Sequence, residues 1–163
     1  MLRFRISDIH KDRGRFRYDL DAAKVEILLA ETAADLRPAG PLALEIEVYR
    51  AHGNLVVTGE LMASVIMECS RCLRKFGLPV GGKVEFFVAA SGSHGHGAEP
   101  VDEQDTGYIT AHGDEVELDD YLRDFIVLNI PMRTLCSETC KGLCPSCGAD
   151  LNRGACTCAP KDR

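Results

Sequence analysis

Several things are missing from this sequence, and each absence narrows what the chain can be. No stretch approaches the roughly 18 consecutive apolar residues that a membrane-spanning helix needs. The first residues, MLRFRISDIHKDRGRFR, place charges where a secretory signal would carry its apolar centre. The expectation is a chain that stays in the cytoplasm and meets no membrane. There is no glycine-flanked serine elbow and no glycine-rich loop of the kind that cradles phosphate. With no readable pairing of nucleophile and base, the chain is read as not an enzyme. No internal repeat or long linker is present, and all eight cysteines lie from Cys69 onward.

What remains is ordinary soluble material, 163 residues of which 45% are hydrophobic and 27% charged. That is room for one domain, or one domain with a small appendage. Leu2, Phe4 and Ile6 alternate with Arg3 and Arg5, the period of a strand with one wet face. Residues 21–36 are rich in Ala, Leu and Glu but mix periods. Leu42, Leu44, Ile46 and Val48 predict a strand, and His52-Gly53-Asn54 a turn. The same parity then holds across 55–67 and predicts a long strand running directly into Cys69. Leu78-Pro79-Val80-Gly81-Gly82 reads as a break, Lys83–Ala90 as another strand, and 91–106 as a flexible acidic surface loop. Tyr108–Thr110 is a short strand candidate. Leu118, Tyr121, Leu122, Phe125, Ile126, Asn129 and Ile130 follow helical spacing, with acids in the first turn and Pro131 as the stop. The expected fold is α+β: a mostly antiparallel sheet with a late amphipathic helix over 1–131, and a small cysteine-rich, zinc-binding C-terminal module over 132–160. That module has few large apolar side chains beyond Met132, Leu135, Leu143 and Leu151, so something other than burial must hold it.

In a reducing cytosol, close-spaced cysteine pairs point to metal or redox chemistry rather than to disulfides. Cys144-Pro-Ser-Cys147-Gly148 is the sharpest signal, because two thiolates at i and i+3 can grip one Zn²⁺ at about 2.3 Å each. Gly148 can turn left-handed and let backbone N–H groups approach the sulfurs. Cys156 and Cys158 lie close downstream and complete a first four-sulfur site with Cys144 and Cys147. Cys69, Cys72, Cys136 and Cys140 form a second site if the two remaining pairs meet, which would pin the tail to the end of the long strand. A compact cluster of Cys136, Cys140, Cys144 and Cys147 is the alternative grouping. Zn²⁺, two per chain, is the first reading and an iron–sulfur cluster the second. Dithiol redox chemistry at Cys69 and Cys72 is a third, although a redox CxxC usually opens a helix and this one follows a strand. His10, His52, His94, His96 and His112 lie apart from any ligand set and are read as loop or isolated residues.

The formal net charge is −6, unevenly spread. Residues 1–17 carry six basic side chains against two acids, and 99–124 carry ten acids against one arginine. Such polarity reads either as two faces with different partners or as two solvated segments.

The run from Leu135 through Cys144-Pro-Ser-Cys147-Gly-Ala-Asp-Leu-Asn152, with Cys69-Ser-Arg-Cys72-Leu73 upstream at a strand end, resembles the YceD-like family of large ribosomal RNA subunit accumulation proteins. The resemblance covers the middle and end of the chain, while the first 40 residues match only in general character. It implies a non-enzymatic factor for accumulation of 23S ribosomal RNA, hence ribosome biogenesis, associated in bacteria with ribosomal protein L32. On that implication Arg3, Arg5, Arg13, Arg15, Arg17, Arg71, Arg74 and Lys75 are the candidates to face ribosomal RNA. The acidic stretch at 99–124 would suit a basic ribosomal protein. The competing readings are a thiol redox protein using Cys69 and Cys72, and a structural zinc module that binds only proteins.

Overall fold

The computed structural model describes residues 2–10, 13–30, 36–51, 54–90 and 108–158, with Ala90 by its backbone. The loop expected at 91–106, with His94 and His96, and the turn at His52-Gly53 lie outside these residues.

Alternation builds the main sheet. In β4 (Leu42–Ala51), Leu42, Leu44, Ile46 and Val48 all point inward and are buried. In β5 (Asn54–Glu68), Val57, Leu61 and Val65 do the same. Each strand thereby lays one apolar stripe on a shared core. β5 pairs antiparallel with β6 (Lys75–Ala90) from Leu55 opposite Val88 to Glu68 opposite Lys75. β2 (Arg13–Leu20) lies outside β4, a two-residue β3 (Arg37–Pro38) pairs with β5, and β7 (Tyr108–Ala111) runs parallel to β6. A separate two-stranded sheet joins β1 (Arg3–Arg5) to β8 (Glu115–Glu117). Two helices close the core. α1 (Ala22–Leu29) buries Val25, Leu28 and Leu29, and α2 (Asp119–Leu128) buries Leu122 and Ile126. The Tyr121 ring of α2 lies 4.4 Å from that of Phe86 on β6.

The mixed α+β class and the antiparallel-rich sheet agree with expectation, but three details differ. The helix is not only late, because α1 follows β2: Asp21 accepts the Lys24 N–H at 3.0 Å and caps it. β2 was not foreseen, and its Phe16, Tyr18 and Leu20 alternate with Arg15, Arg17 and Asp19. β6 also runs straight through the segment read as a break. Among the described residues β7 reaches only Phe87–Ala90 and β6 has no second neighbour at Pro79, where a missing N–H leaves no described partner wanting. Gly81 (φ 152°) adopts a backbone closed to L side chains, and a Cβ there would run into the Leu61 carbonyl. α2 itself stops at Leu128, two residues before Ile130, with the Asn129 amide donating to the Phe125 carbonyl at 2.8 Å.

The fold thus ends its longest ladder in a six-residue tip, residues 69–74. The described chain after α2, residues 132–158, forms no helix and only one isolated bridge, Leu143 opposite Asp150. It folds back onto that tip.

Candidate metal centres

The tip is a knuckle wound around the Cys69 sulfur. The Cys69 N–H donates to the Arg74 carbonyl at 2.9 Å, and the Leu73 N–H donates back to the Cys69 carbonyl at 2.9 Å. The N–H groups of Arg71 and Cys72 point at the Cys69 sulfur. Residues 144–149 repeat the pattern. There the Cys144 N–H donates to the Ala149 carbonyl at 2.8 Å and the Gly148 N–H to the Cys144 carbonyl at 2.9 Å. The N–H groups of Ser146 and Cys147 point at the Cys144 sulfur. Each knuckle spans six residues between a facing pair, Glu68 with Lys75 in one and Leu143 with Asp150 in the other. Each also turns left-handed after its second cysteine. Gly148 does so at φ 73°, the use of glycine expected there, but Leu73 does so at φ 58°. A left-handed turn costs a non-glycine residue about 1–2 kcal/mol.

Chain folding brings the eight cysteines into two foursomes: Cys69, Cys72, Cys136 and Cys140, and Cys144, Cys147, Cys156 and Cys158. Within each, the four sulfurs lie within 4.8 Å of one another. The Cys69–Cys140 and Cys72–Cys136 sulfurs are 3.8 and 3.7 Å apart. A tetrahedral ion with metal–sulfur bonds of about 2.3 Å has sulfur–sulfur edges of about 3.8 Å. Both foursomes can therefore hold a metal ion, and the first has the spacing of a four-thiolate site.

Electrostatics prepare the sulfurs unevenly. The Cys69 thiol is drawn down to about 6, chiefly by the Cys136 N–H and against desolvation, with the Cys72 and Arg71 N–H groups adding to it. Its neighbour Cys72 receives the Arg74 N–H, but desolvation and the facing sulfurs outweigh that and hold it up to about 12. In the second foursome Cys144 is drawn down to about 6 by the N–H groups of Cys147 and Ser146. Cys158 is pushed up to about 12, first by Cys147. In each foursome one sulfur is ready to ionise while another, Cys72 or Cys158, resists a second anion beside it, and a cation removes that conflict.

Two polar residues outside the cysteine spacing lock the arrangement. Thr134, only 8% exposed, accepts the Ser70 N–H on its carbonyl at 2.9 Å and donates its hydroxyl to the Glu68 carbonyl at 2.7 Å. Asn152 accepts the Lys141 N–H at 2.8 Å and points its amide at the Cys140 sulfur, 3.5 Å away. It thereby ties the second loop to the first foursome. The Leu143 N–H donates to the Arg71 carbonyl at 3.1 Å.

The basic candidates divide. Arg71 donates to the Cys140 carbonyl at 2.7 Å, and the Arg74 guanidinium is held above its ordinary value, first by Cys136, so both serve the first foursome. Lys75 is exposed beside them. The amino-terminal arginines are elsewhere and already paired. Arg3 and Arg5 meet Glu115 at 2.9 and 3.4 Å, Arg13 and Arg15 meet Glu47 at 3.2 and 3.8 Å, and Arg17 meets Asp19 and Glu45 at 2.9 and 3.1 Å. Asp114 binds the Ser7 hydroxyl, and Asp119 the Leu2 N–H. The register of β1 with β8 sets Arg3 and Arg5 against Glu115, so among the described residues the basic start of the chain meets the acidic stretch at that point.

Relatives place this arrangement. A family model described as large ribosomal RNA subunit accumulation protein YceD matches residues 57–163. A maize protein named as a chloroplastic YCED homolog of that description is 27% identical over 150 residues, covering 77% of this chain and 51% of the relative. Its Arabidopsis thaliana counterpart is 21% identical over 175 residues, covering 92% of this chain and 54% of the relative. A Mycobacterium tuberculosis protein is 30% identical over 112 residues, covering 68% of this chain and 51% of its own. The chain spans about half the length of these relatives. No solved structure matches it. The family match takes in the β5–β6 hairpin, both knuckles and all eight sulfurs, and on that basis the chain belongs to the YceD family of large ribosomal RNA subunit accumulation proteins.

Proposed function

We propose that the chain is a non-enzymatic ribosome-biogenesis factor that supports accumulation of large-subunit (23S) ribosomal RNA through contacts to that RNA, a ribosomal protein, or both. The observation that carries the reading is that the family match, residues 57–163, encloses every cysteine of both foursomes. In this reading each foursome holds one Zn²⁺, two per chain, and the segment 132–160 is a metal-held module on an α+β domain of residues 1–131. Four thiolates around one zinc leave no open position, so the bound ion would supply a rigid cross-link rather than chemistry on a substrate. An iron–sulfur cluster is the competing occupant, and visible absorption with elemental analysis separates the two. The low exposure of Cys69 (0%) and Cys72 (7%) weighs against a dithiol that must meet another protein's disulfide. The setting is wherever the cell assembles ribosomes, and the two plant relatives carry chloroplastic names.

The test is depletion in cells. The ratio of 23S to 16S ribosomal RNA should fall and be restored by the wild-type chain but not by Cys72→Ser. Crosslinking followed by RNA sequencing should enrich large-subunit RNA. A ratio indifferent to depletion overturns the reading. Pull-downs from nuclease-treated extract that keep a ribosomal protein, L32 among the candidates, without any crosslinked RNA would assign the contact to protein alone.

A further inference from the structure

The two knuckles share their hydrogen bonding but not the residue at the left-handed turn, and the difference is costly to the isolated fold. Leu73 is the one non-glycine residue with positive φ among the described residues. Glycine, or less well asparagine, is what that conformation admits without crowding the next carbonyl. Burial does not compensate, because Leu73 is 57% exposed. The apolar packing around the first foursome comes instead from Phe76, Leu135 and Leu143. A large apolar side chain that strains its own backbone and remains in water gains its return in a complex.

The surroundings say what kind of complex. In a chain of net charge −6, the knuckle with its facing pair and residues 132–158 hold Arg71, Arg74, Lys75, Arg133, Lys141 and Arg153 against Glu68, Glu138 and Asp150. Four of the eight sulfurs, those of Cys69, Cys72, Cys140 and Cys144, are buried. Arg71 is bonded to the Cys140 carbonyl, and the exposed Arg74 is held against Cys136. Lys75 and Lys141 are exposed, and among the described residues neither has a carboxylate at ion-pair distance. Lys141 precedes Gly142, which lies against the Arg71 carbonyl, so its backbone abuts the first knuckle. An apolar knob among ammonium groups matches an unstacked nucleobase between phosphates. Single-stranded RNA presents such bases, and a duplex hides them.

We propose that the first knuckle is an RNA-reading tip, in which Leu73 packs on the face of an unstacked base while Lys75 and Lys141 take the flanking phosphates. This rests on the RNA-contact reading above and names the residues and the form of RNA.

The experiment uses the full metal-loaded chain and overlapping transcripts of 23S ribosomal RNA, with affinity read by fluorescence anisotropy at several salt concentrations. Leu73→Gly and Leu73→Asn should each lose roughly five- to tenfold in affinity, the scale of removing one partly buried leucine contact. Their salt dependence and metal content should be unchanged, and Leu73→Gly should melt no lower than wild type. Replacing Lys75 and Lys141 together by Gln should instead flatten the log–log salt slope by roughly 1.4, as loss of two phosphate contacts on a single strand does. A fully paired duplex should bind more weakly and ignore Leu73. Wild-type affinity in both Leu73 variants, or a lowered melting temperature and lost metal in Leu73→Gly, overturns the proposal while leaving the RNA reading intact. Unchanged RNA binding with lost capture of a ribosomal protein overturns it in favour of a protein anchor. If the wild-type chain binds no transcript, the RNA reading itself falls, and this inference with it.

Discussion

The two four-sulfur centres begin from the same local motif and end as different objects. The first knuckle is the tip of a ladder running from Leu55 opposite Val88 to Glu68 opposite Lys75, so the core of the sheet positions it. The second stands on a single bridge, Leu143 opposite Asp150. Three sulfurs of the first centre are buried and packed with Phe76, Leu135 and Leu143, whereas Cys147 of the second is exposed and Cys156 and Cys158 are half-buried. The first joins residues 71 and 64 positions apart, while the second closes only the stretch from 144 to 158. Closing the longer loop costs the chain about 1.4 kcal/mol more entropy by the logarithmic rule, and cross-linking it constrains correspondingly more of the unfolded ensemble. A metal motif therefore does not determine its own importance. What it is anchored to decides whether its loss is felt locally or by the whole fold.

The sharpest way to break that comparison is to remove one ligand from the first centre. Cys69→Ser should lose its metal, release residues 132–142 from the hairpin tip, and destabilise the fold by about 4–5 kcal/mol or more, as loss of a structural metal does. For a chain of this size that lowers the melting temperature by roughly 10–20 °C. Calorimetry with elemental analysis of the same sample reads both. A variant that lost one metal and melted within a few degrees of wild type would make the first centre as dispensable as the second is expected to be.

Thr134→Val asks how much of the anchoring is hydrogen bonding rather than sulfur. The substitution keeps the shape but leaves the Glu68 carbonyl and the Ser70 hydroxyl without their Thr134 partner. Both bonds are part-buried and water can reach the groups left behind, so each lost bond costs about 0.5–1.5 kcal/mol, or roughly 2–8 °C for the two together. Metal content should stay at the wild-type value. A drop below 1 °C would show that the sulfur centre alone docks the tail.

How far the sequence foretold this architecture depends on which level one asks about. Leu42–Val48 and residues 55–67 were legible because one face of each strand is buried and the other wet, which is what alternation records. α1 was not, since Ile27 is apolar yet 75% exposed and blurs the helical stripe of Val25, Leu28 and Leu29. β2 was hidden behind its arginines, which drew attention as charge when their regular spacing was the structural message. Cysteine spacing declares half-sites, but which halves meet depends on the hairpin tip and on Thr134 and Asn152. Those two act through partners 64, 66, 11 and 12 positions away, beyond any local pattern. The charge clusters were silent on their partners for the same reason, because only the β1–β8 register shows that Arg3 and Arg5 face Glu115.

The mildest expected effect on the sheet is also the most specific test. Cys147→Ser removes an exposed ligand from the second centre. That centre's metal should be lost, and amide protection should vanish across 144–158, because little apolar surface is left to hold the loop. The core should barely notice. The Leu143–Arg71 bond is the main described tie between the loop and the hairpin tip, since Asn152 reaches beyond the loop only to Lys141 and Cys140. Each hydrogen bond of that kind contributes about 1 kcal/mol, so the melting temperature should fall by roughly 2–5 °C at most. In the wild-type chain the same asymmetry predicts two phases when a chelator is added. One metal should leave early with loss of protection confined to 144–158, and the other only as the hairpin tip opens. Release of both metals in one step, or early loss of protection around Cys69, would mean that the two knuckles are a single cooperative unit. The contrast between an anchored and a peripheral centre would then fail.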